Sequence, residues 1–221
     1  MLPISASSSI LSAFKNIGKY QDSFLTIPPF LQYQTDNAKS MKAVNTTQLI
    51  QDLERRVEGH LQQAITIFQN MNKTVLLKPA VNGGWSIAQC LDHLNGYGDY
   101  YLPLMEKGLK QYKGAPAETF SSSWLGNYFT KMMEPQTGTK KMKAFKKHIP
   151  AAYLDAHAVV AKFIQQQELL LQYLKQAANA DINAIRIPIS IAKWIRLKLG
   201  DTFRFIVAHN ERHIQQAKRN V

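Results

Sequence analysis

Residues 199–219 read Leu-Gly-Asp-Thr-Phe-Arg-Phe-Ile-Val-Ala-His-Asn-Glu-Arg-His-Ile-Gln-Gln-Ala-Lys-Arg, and this stretch decides what kind of molecule the chain makes. Phe203, Ile206, His209 or Asn210, His213 and Ala217 recur at spacings of three and four, which is one face of an α-helix. Two imidazoles therefore stand on the stripe that turns inward, one helical turn apart. A helix offers two imidazoles to one metal ion in this geometry. The pattern is not the zincin motif, in which Glu directly follows the first His. Glu211 comes two residues after His209, about 200° around a 3.6-residue helix, and is expected to be exposed.

Outward from that helix, three more are predicted. Asn45-Thr46-Thr47 offers caps for a first helix whose apolar residues are Leu49, Leu53, Val57, Leu61, Ile65 and Phe68, at helical spacing. Asn82-Gly83-Gly84 interrupts. Trp85-Ser86 then opens a second helix, with Ser86 as cap and Gln89 three residues later. Its apolar face is Ile87, Cys90, Leu91, Leu94, Tyr97 or Gly98, Tyr101 and Leu104, and Pro103 kinks or tightens it. A third helix spans about 151–177 on Leu154, Ala158, Ala161, Ile164, Leu171 and Leu174. A connection holding Pro188 leads to the fourth. The fold class is all-α: a four-helix bundle.

Between helices two and three, residues 113–150 carry Gly114, Pro116, Gly126, Pro135, Gly138 and Pro150, a long irregular loop of the kind that is functional or disordered. Trp124, Tyr128 and Phe129 indicate that part of it packs over the bundle. It is expected either to lie over a pocket as a lid or to mediate a homodimer. Residues 1–44 have no sustained apolar period, and Pro28-Pro29 breaks any helix there. They read as a disordered arm or an over-extended start, poorly structured, ahead of a bundle domain at 45–221.

Of the 221 residues, 45% are hydrophobic, enough for one core. No apolar run reaches about 18 residues, so no membrane span is expected. A single cysteine, Cys90, leaves no disulfide framework and fits a reducing, cytoplasmic setting. The balance of 27 basic against 15 acidic residues gives a net charge of +12. Its densest cluster is Lys140, Lys141, Lys143, Lys146 and Lys147. This run lacks the arginine-rich, aromatic-interleaved character of a base-reading surface, so no specific nucleic-acid partner is expected and the run reads as a solvated basic loop.

His93 lies on the second helix beside its apolar face, between Cys90 and Leu94. Facing helices of a bundle bring such side chains together in the core, which makes His93 the third candidate ligand beside His209 and His213. Trp85-Ser86-Ile87-Ala88-Gln89-Cys90-Leu91-Asp92-His93-Leu94 looks like the W-S-x6-H-L signature of the DinB-like superfamily, and His209 to Gln216 looks like that family's closing H-x-x-x-H-x-x-Q helix. The resemblance covers about residues 46–219, in the right order and spacing. It implies a four-helix bundle that holds a divalent metal, commonly zinc or nickel, on one histidine of the second helix and two of the last: His93, His209 and His213. Some members of that family are transferases that use a low-molecular-weight thiol, and others are hydrolases.

Other residues read blandly. His60, beside Leu61, is expected at a flank or interface, and His148 to be solvated at the end of the basic loop. His157 is expected outside the site, and Cys90 to act as a small hydrophobe. Trp85 is expected to staple the start of helix two, and Tyr97, Tyr100 and Tyr101 to be core. Three imidazoles leave a coordination position open, suited to a water for hydrolysis or to a thiol, as thiolate, for transfer. The expected function is thus a metal-dependent enzyme on a small-molecule substrate, a thiol S-transferase or a hydrolase, with no general base in the matched motifs. A non-catalytic or stress-associated metal-binding bundle is the alternative.

Overall fold

Asn45 starts the first helix, because its side-chain oxygen accepts the Gln48 N–H at 2.9 Å and so satisfies one of the orphan donors of a helix start. The computed structural model describes residues 42–81, 83–135, 144–145 and 148–221. The N-terminal arm up to residue 41 and the clustered lysines Lys140, Lys141, Lys143, Lys146 and Lys147 lie outside the described residues. Helix α1, Thr46–Gln63, continues through a π-helical turn, Ala64–Phe68, and a short α2 follows at Lys73–Leu77. Helix α3, Ile87–Gln111, opens on the expected capping box, with Ser86 Oγ accepting from Gln89 N and Gln89 Oε1 accepting from Ser86 N. Pro103 sits inside α3 without ending it. Helix α5, Ala156–Ala177, is capped by Asp155, and the last helix, α6, spans Leu199–Lys218.

Helices α1, α3, α5 and α6 form the bundle. Both α1 and α3 pack mainly against α5 and α6, so that α1 sits across the diagonal from α3 and α5 from α6, while α3 and α5 are direct neighbours. Helices α3 and α6 run antiparallel: Asn220 bonds the Trp85 carbonyl at one end, and Tyr101 meets the Phe205 ring at the other. Buried Asn210 donates to Gln167 at 3.0 Å, a polar bridge from α6 to α5 through the interior.

Two helices turn differently from the expected faces. In α1 the buried residues are Thr46, Ile50, Leu53, Val57 and His60, then Ala64 and Phe68 in the π-turn, while Ile65 is exposed. In α5, Ala158 and Ala161 face solvent, and Val159, Val160, Phe163, Leu170 and Leu174 are buried. Leucine and alanine at two adjacent registers make either face apolar, and the bundle selects the bulkier one.

The stretch after α3 holds more order than a loop. Strand β2, Thr119–Phe120, pairs antiparallel with β1, Val44–Asn45. Helix α4, Trp124–Met133, lies along α6 with Phe129 buried, as the aromatic residues there suggested. The connection holding Pro188 is a hairpin, β3 at Arg186–Ile189 and β4 at Ala192–Lys198. Pro188 is tolerated because β3 has a partner on one side only. Among the described residues no helix is long and apolar enough to cross a membrane.

Candidate metal centre

His93 sits in the second turn of α3, and α6 contributes His209 and His213 from its C-terminal half. The antiparallel crossing of these helices brings all three rings together. Ring centroids are 5.0 Å apart for His93 and His209, 4.6 Å for His93 and His213, and 4.8 Å for His209 and His213. Each offers one nitrogen, and the three nitrogens lie within 4.8 Å of one another. His93 and His209 are 5% and 2% exposed, and His213 is 9%.

The hydrogen bonds fix which nitrogen faces inward. His93 Nδ1 lies 2.6 Å from the His148 carbonyl oxygen, and His213 Nδ1 lies 2.9 Å from Gln216 Oε1. Both oxygens only accept, so both Nδ1 atoms carry the hydrogen and each Nε2 keeps a lone pair. His209 Nε2 is 3.2 Å from His93 Nε2. Donors around a tetrahedral zinc, with bonds of about 2.0–2.1 Å, stand about 3.3–3.4 Å apart, so the observed spacing fits that coordination. His209 Nδ1 is buried with no hydrogen-bond partner among the described residues. Rings hold His209 instead: Phe205 stacks on it at 5.7 Å, and Tyr97 meets it edge-on at 4.4 Å.

Electrostatics favour the ligand form. Burial holds the His93 pKa below the ordinary imidazole value, against the His148 carbonyl bond and the Asp92 charge, which pull it up. Burial, then the neighbouring His213 and His93, keep His209 well below that value. Burial and His93 push His213 down to about 3. All three rings are therefore neutral at pH 7, the form that binds a metal. The donor set is compact, desolvated and neutral, with the tautomers of His93 and His213 set by their Nδ1 hydrogen bonds, and it fits a divalent ion that accepts nitrogen ligands.

Several neighbours depart from the sequence reading. His148 is not solvated: it is buried, its ring stacks on Tyr97 at 4.2 Å, and its Nε2 lies 3.1 Å from Ser190 Oγ. Its carbonyl, rather than its ring, orients His93. No sequence signal marks a backbone acceptor 55 residues away. Trp85 does more than start α3, for its ring lies 4.9 Å from His93 and stacks on His213 at 5.7 Å.

His60 is fully buried rather than flanking, and its Nε2 lies 2.8 Å from Glu211 Oε2. Glu211 is correspondingly half-buried, with its pKa lowered to about 2 chiefly by the His60 hydrogen bond. The about 200° offset places Glu211 away from the three histidines, and α1 occupies that side. His157 is exposed, and Cys90 is buried outside the cluster.

A model of the DinB superfamily matches residues 56–217. Among solved structures, the chain is similar to YfiT from Bacillus subtilis, described as a probable metal-dependent hydrolase with an unusual four-helix bundle topology. The identity is 17%, the match covers 79% of this chain and 85% of that one, and the TM-score is 0.47. A comparison with curated proteins finds no match.

Proposed function

The chain belongs to the DinB superfamily, and from that premise we propose that it is a metal-dependent enzyme acting on small molecules, with His93, His209 and His213 as the three protein ligands of one divalent ion. The observation that carries the reading is the convergence of three desolvated imidazoles on two antiparallel helices, two of them with their outer nitrogens already bonded. Zinc or nickel suits an all-imidazole donor set. When bound, the ion supplies an electrophilic centre that lowers the pKa of a water or thiol brought to it.

The chain's own residues supply the rest. The His148 carbonyl and Gln216 orient two rings, Tyr97 and Phe205 brace the third, and Trp85 closes the side between His93 and His213. Among the described residues no carboxylate joins the three-histidine group. The nearest acid on α6, Glu211, is engaged by His60. A thiol ionises more readily than water and is the stronger nucleophile, so it makes the smaller demand on a protein base. This favours transfer of a low-molecular-weight thiol to an electrophilic substrate: a carbon–sulfur bond forms, the leaving group departs and the thiol proton is released.

Metal analysis of the purified protein tests the centre, with one ion per chain expected and loss in His93→Ala, His209→Ala and His213→Ala. Calorimetry of the metal-loaded protein with small thiols, in buffers of different ionisation enthalpy, tests the chemistry. About one proton should be released per thiol bound. Stoichiometric metal with no thiol binding at millimolar concentration, together with ester hydrolysis, would replace transfer by hydrolysis.

A further inference from the structure

Beside the histidines the fold leaves an apolar cavity. Tyr97 and Phe205 line it, and the same two rings contact His209 at 4.4 and 5.7 Å. These two side chains are thus the common wall between the cavity and the three-histidine group. Tyr101 of α3 lines the cavity too, and most of its other walls come from outside the four-helix frame: Met132 and Met133 of α4, and Ile189, Ile191 and Leu197 of the hairpin. Among the described residues that line it, none is charged, and the polar groups are the tyrosine hydroxyls and Ser190. Tyr101 accepts the Ser190 N–H at 3.1 Å, and Ser190 Oγ meets His148. Ser190 and the Tyr101 hydroxyl are therefore engaged with the protein, and the described lining is mostly hydrocarbon.

We infer that this cavity is the substrate subsite: it takes an uncharged apolar arm, alkyl or aryl, of a small molecule whose reactive group is presented at the histidines. The inference rests on the enzymatic reading above for the reactive end, while the subsite itself depends only on the cavity's own walls. Burying an uncharged arm there removes apolar surface from water on both sides. A charged arm of the same size would lose its hydration without a partner among the described residues. Ligand pockets of this kind are apolar, with a few convergent polar groups that set orientation. Here the cavity supplies the apolar part and the three imidazoles the polar end.

The test titrates metal-free protein with benzyl alcohol, benzoate and benzylammonium, followed by nitrogen–proton NMR. The neutral probe is expected to bind saturably, with shifts confined to α4, the hairpin and the Tyr97–Phe205 wall, and both charged probes at least tenfold more weakly. Met132 and Ile191 are only half-buried, so Met132→Trp, which fills the cavity, and Ile191→Asp, which places a charge in it, should keep the fold by circular dichroism. Each should weaken the neutral probe at least tenfold. Equal binding of neutral and charged probes, indifference to both variants, or no saturable binding would overturn the subsite. Saturable neutral binding in a protein that never takes up metal would instead defeat the metal reading and leave the subsite standing. Stoichiometric metal with no probe binding would do the reverse.

Discussion

At the scale of single residues, burial sets reactivity, and Cys90 shows it most simply. The side chain is fully buried, and burial pushes its thiol up to about 12, against a smaller pull from Arg219. The thiolate is the reactive form, so native protein at pH 8 should resist iodoacetamide and label at Cys90 only on unfolding. Mass spectrometry of native and denatured samples reads this, and rapid native labelling would show that the helix packing around Cys90 opens easily. The His148 carbonyl is held by a chain that runs from Tyr101 through Ser190 to the His148 ring. Outer partners of this kind typically change metal affinity 10–100-fold. Ser190→Ala is accordingly expected to weaken metal binding about tenfold while exposed His157→Ala leaves it unchanged. Equal affinity in both variants, by competition with a chelator, would remove Ser190 from the site's support.

At the scale of elements, the N-terminal end of α4 is anchored to the bundle by one buried carboxylate. Asp201, fully buried in the first turn of α6, accepts from the Ser123 backbone N–H at 3.0 Å, from Ser123 Oγ at 2.6 Å and from Ser122 Oγ. Ser123 is also the N-cap of α4, through Gly126 N. Gly126 lies so close to the Asp201 carboxylate that an added methyl would overlap it. Asp201→Ala should cost about 2–4 kcal/mol, and Gly126→Ala should destabilise in the same direction. Hydrogen exchange would show faster opening of Trp124–Met133 in both. Uniform exchange across the whole chain would mean that α4 is not a separately anchored unit.

How far the elements were legible depends on how local their signals are. The caps at Asn45 and Ser86 and the α6 stripe from Phe203 to Ala217 follow from spacing alone, whereas Phe205, Val207, Ala208 and Ile214 are buried off that stripe because α6 is covered on more than one side. The α5 face does not, because Gln166 and Gln167 are buried on it. Their amides are satisfied across the bundle: Gln166 donates to the Asn95 carbonyl and to Asp99, and Gln167 accepts from Asn210. A polar residue at a core position reads as surface until its distant partner is known. His60 was hidden in the same way, since its partner Glu211 lies 151 residues on. The hairpin carried a faint signal in the alternation of Ile185, Ile187 and Ile189, which Pro188 obscured. The three candidate ligands were readable because helical spacing and the flanking motifs both mark them. The second layer, built from a backbone carbonyl and a loop serine, left no such trace.

At the scale of the whole molecule, a metal bound between α3 and α6 would couple site occupancy to the stability of the bundle. The three nitrogens come from two helices that are far apart in sequence and meet only on folding, so the unfolded chain lacks the preformed site. A ligand that binds only the folded state stabilises it by mass action, by about 2.7 kcal/mol at 100 times its dissociation constant. For a chain of this size that corresponds to a rise of about 5–10 °C in Tm. Zinc or nickel should therefore raise the Tm of chelator-treated protein by that amount, and His93→Ala, His209→Ala and His213→Ala should each abolish most of the rise. His60→Ala separates this linkage from mere damage to the core. That substitution empties a fully buried position and removes the Glu211 bond, so it should lower the Tm of apo and metal-treated protein alike and leave the metal-induced rise intact. Were the histidines simply core side chains, all four variants would lose stability to similar extents with and without metal, and the wild-type Tm would not move. Differential scanning calorimetry of the five proteins, with and without one equivalent of zinc, separates the two outcomes.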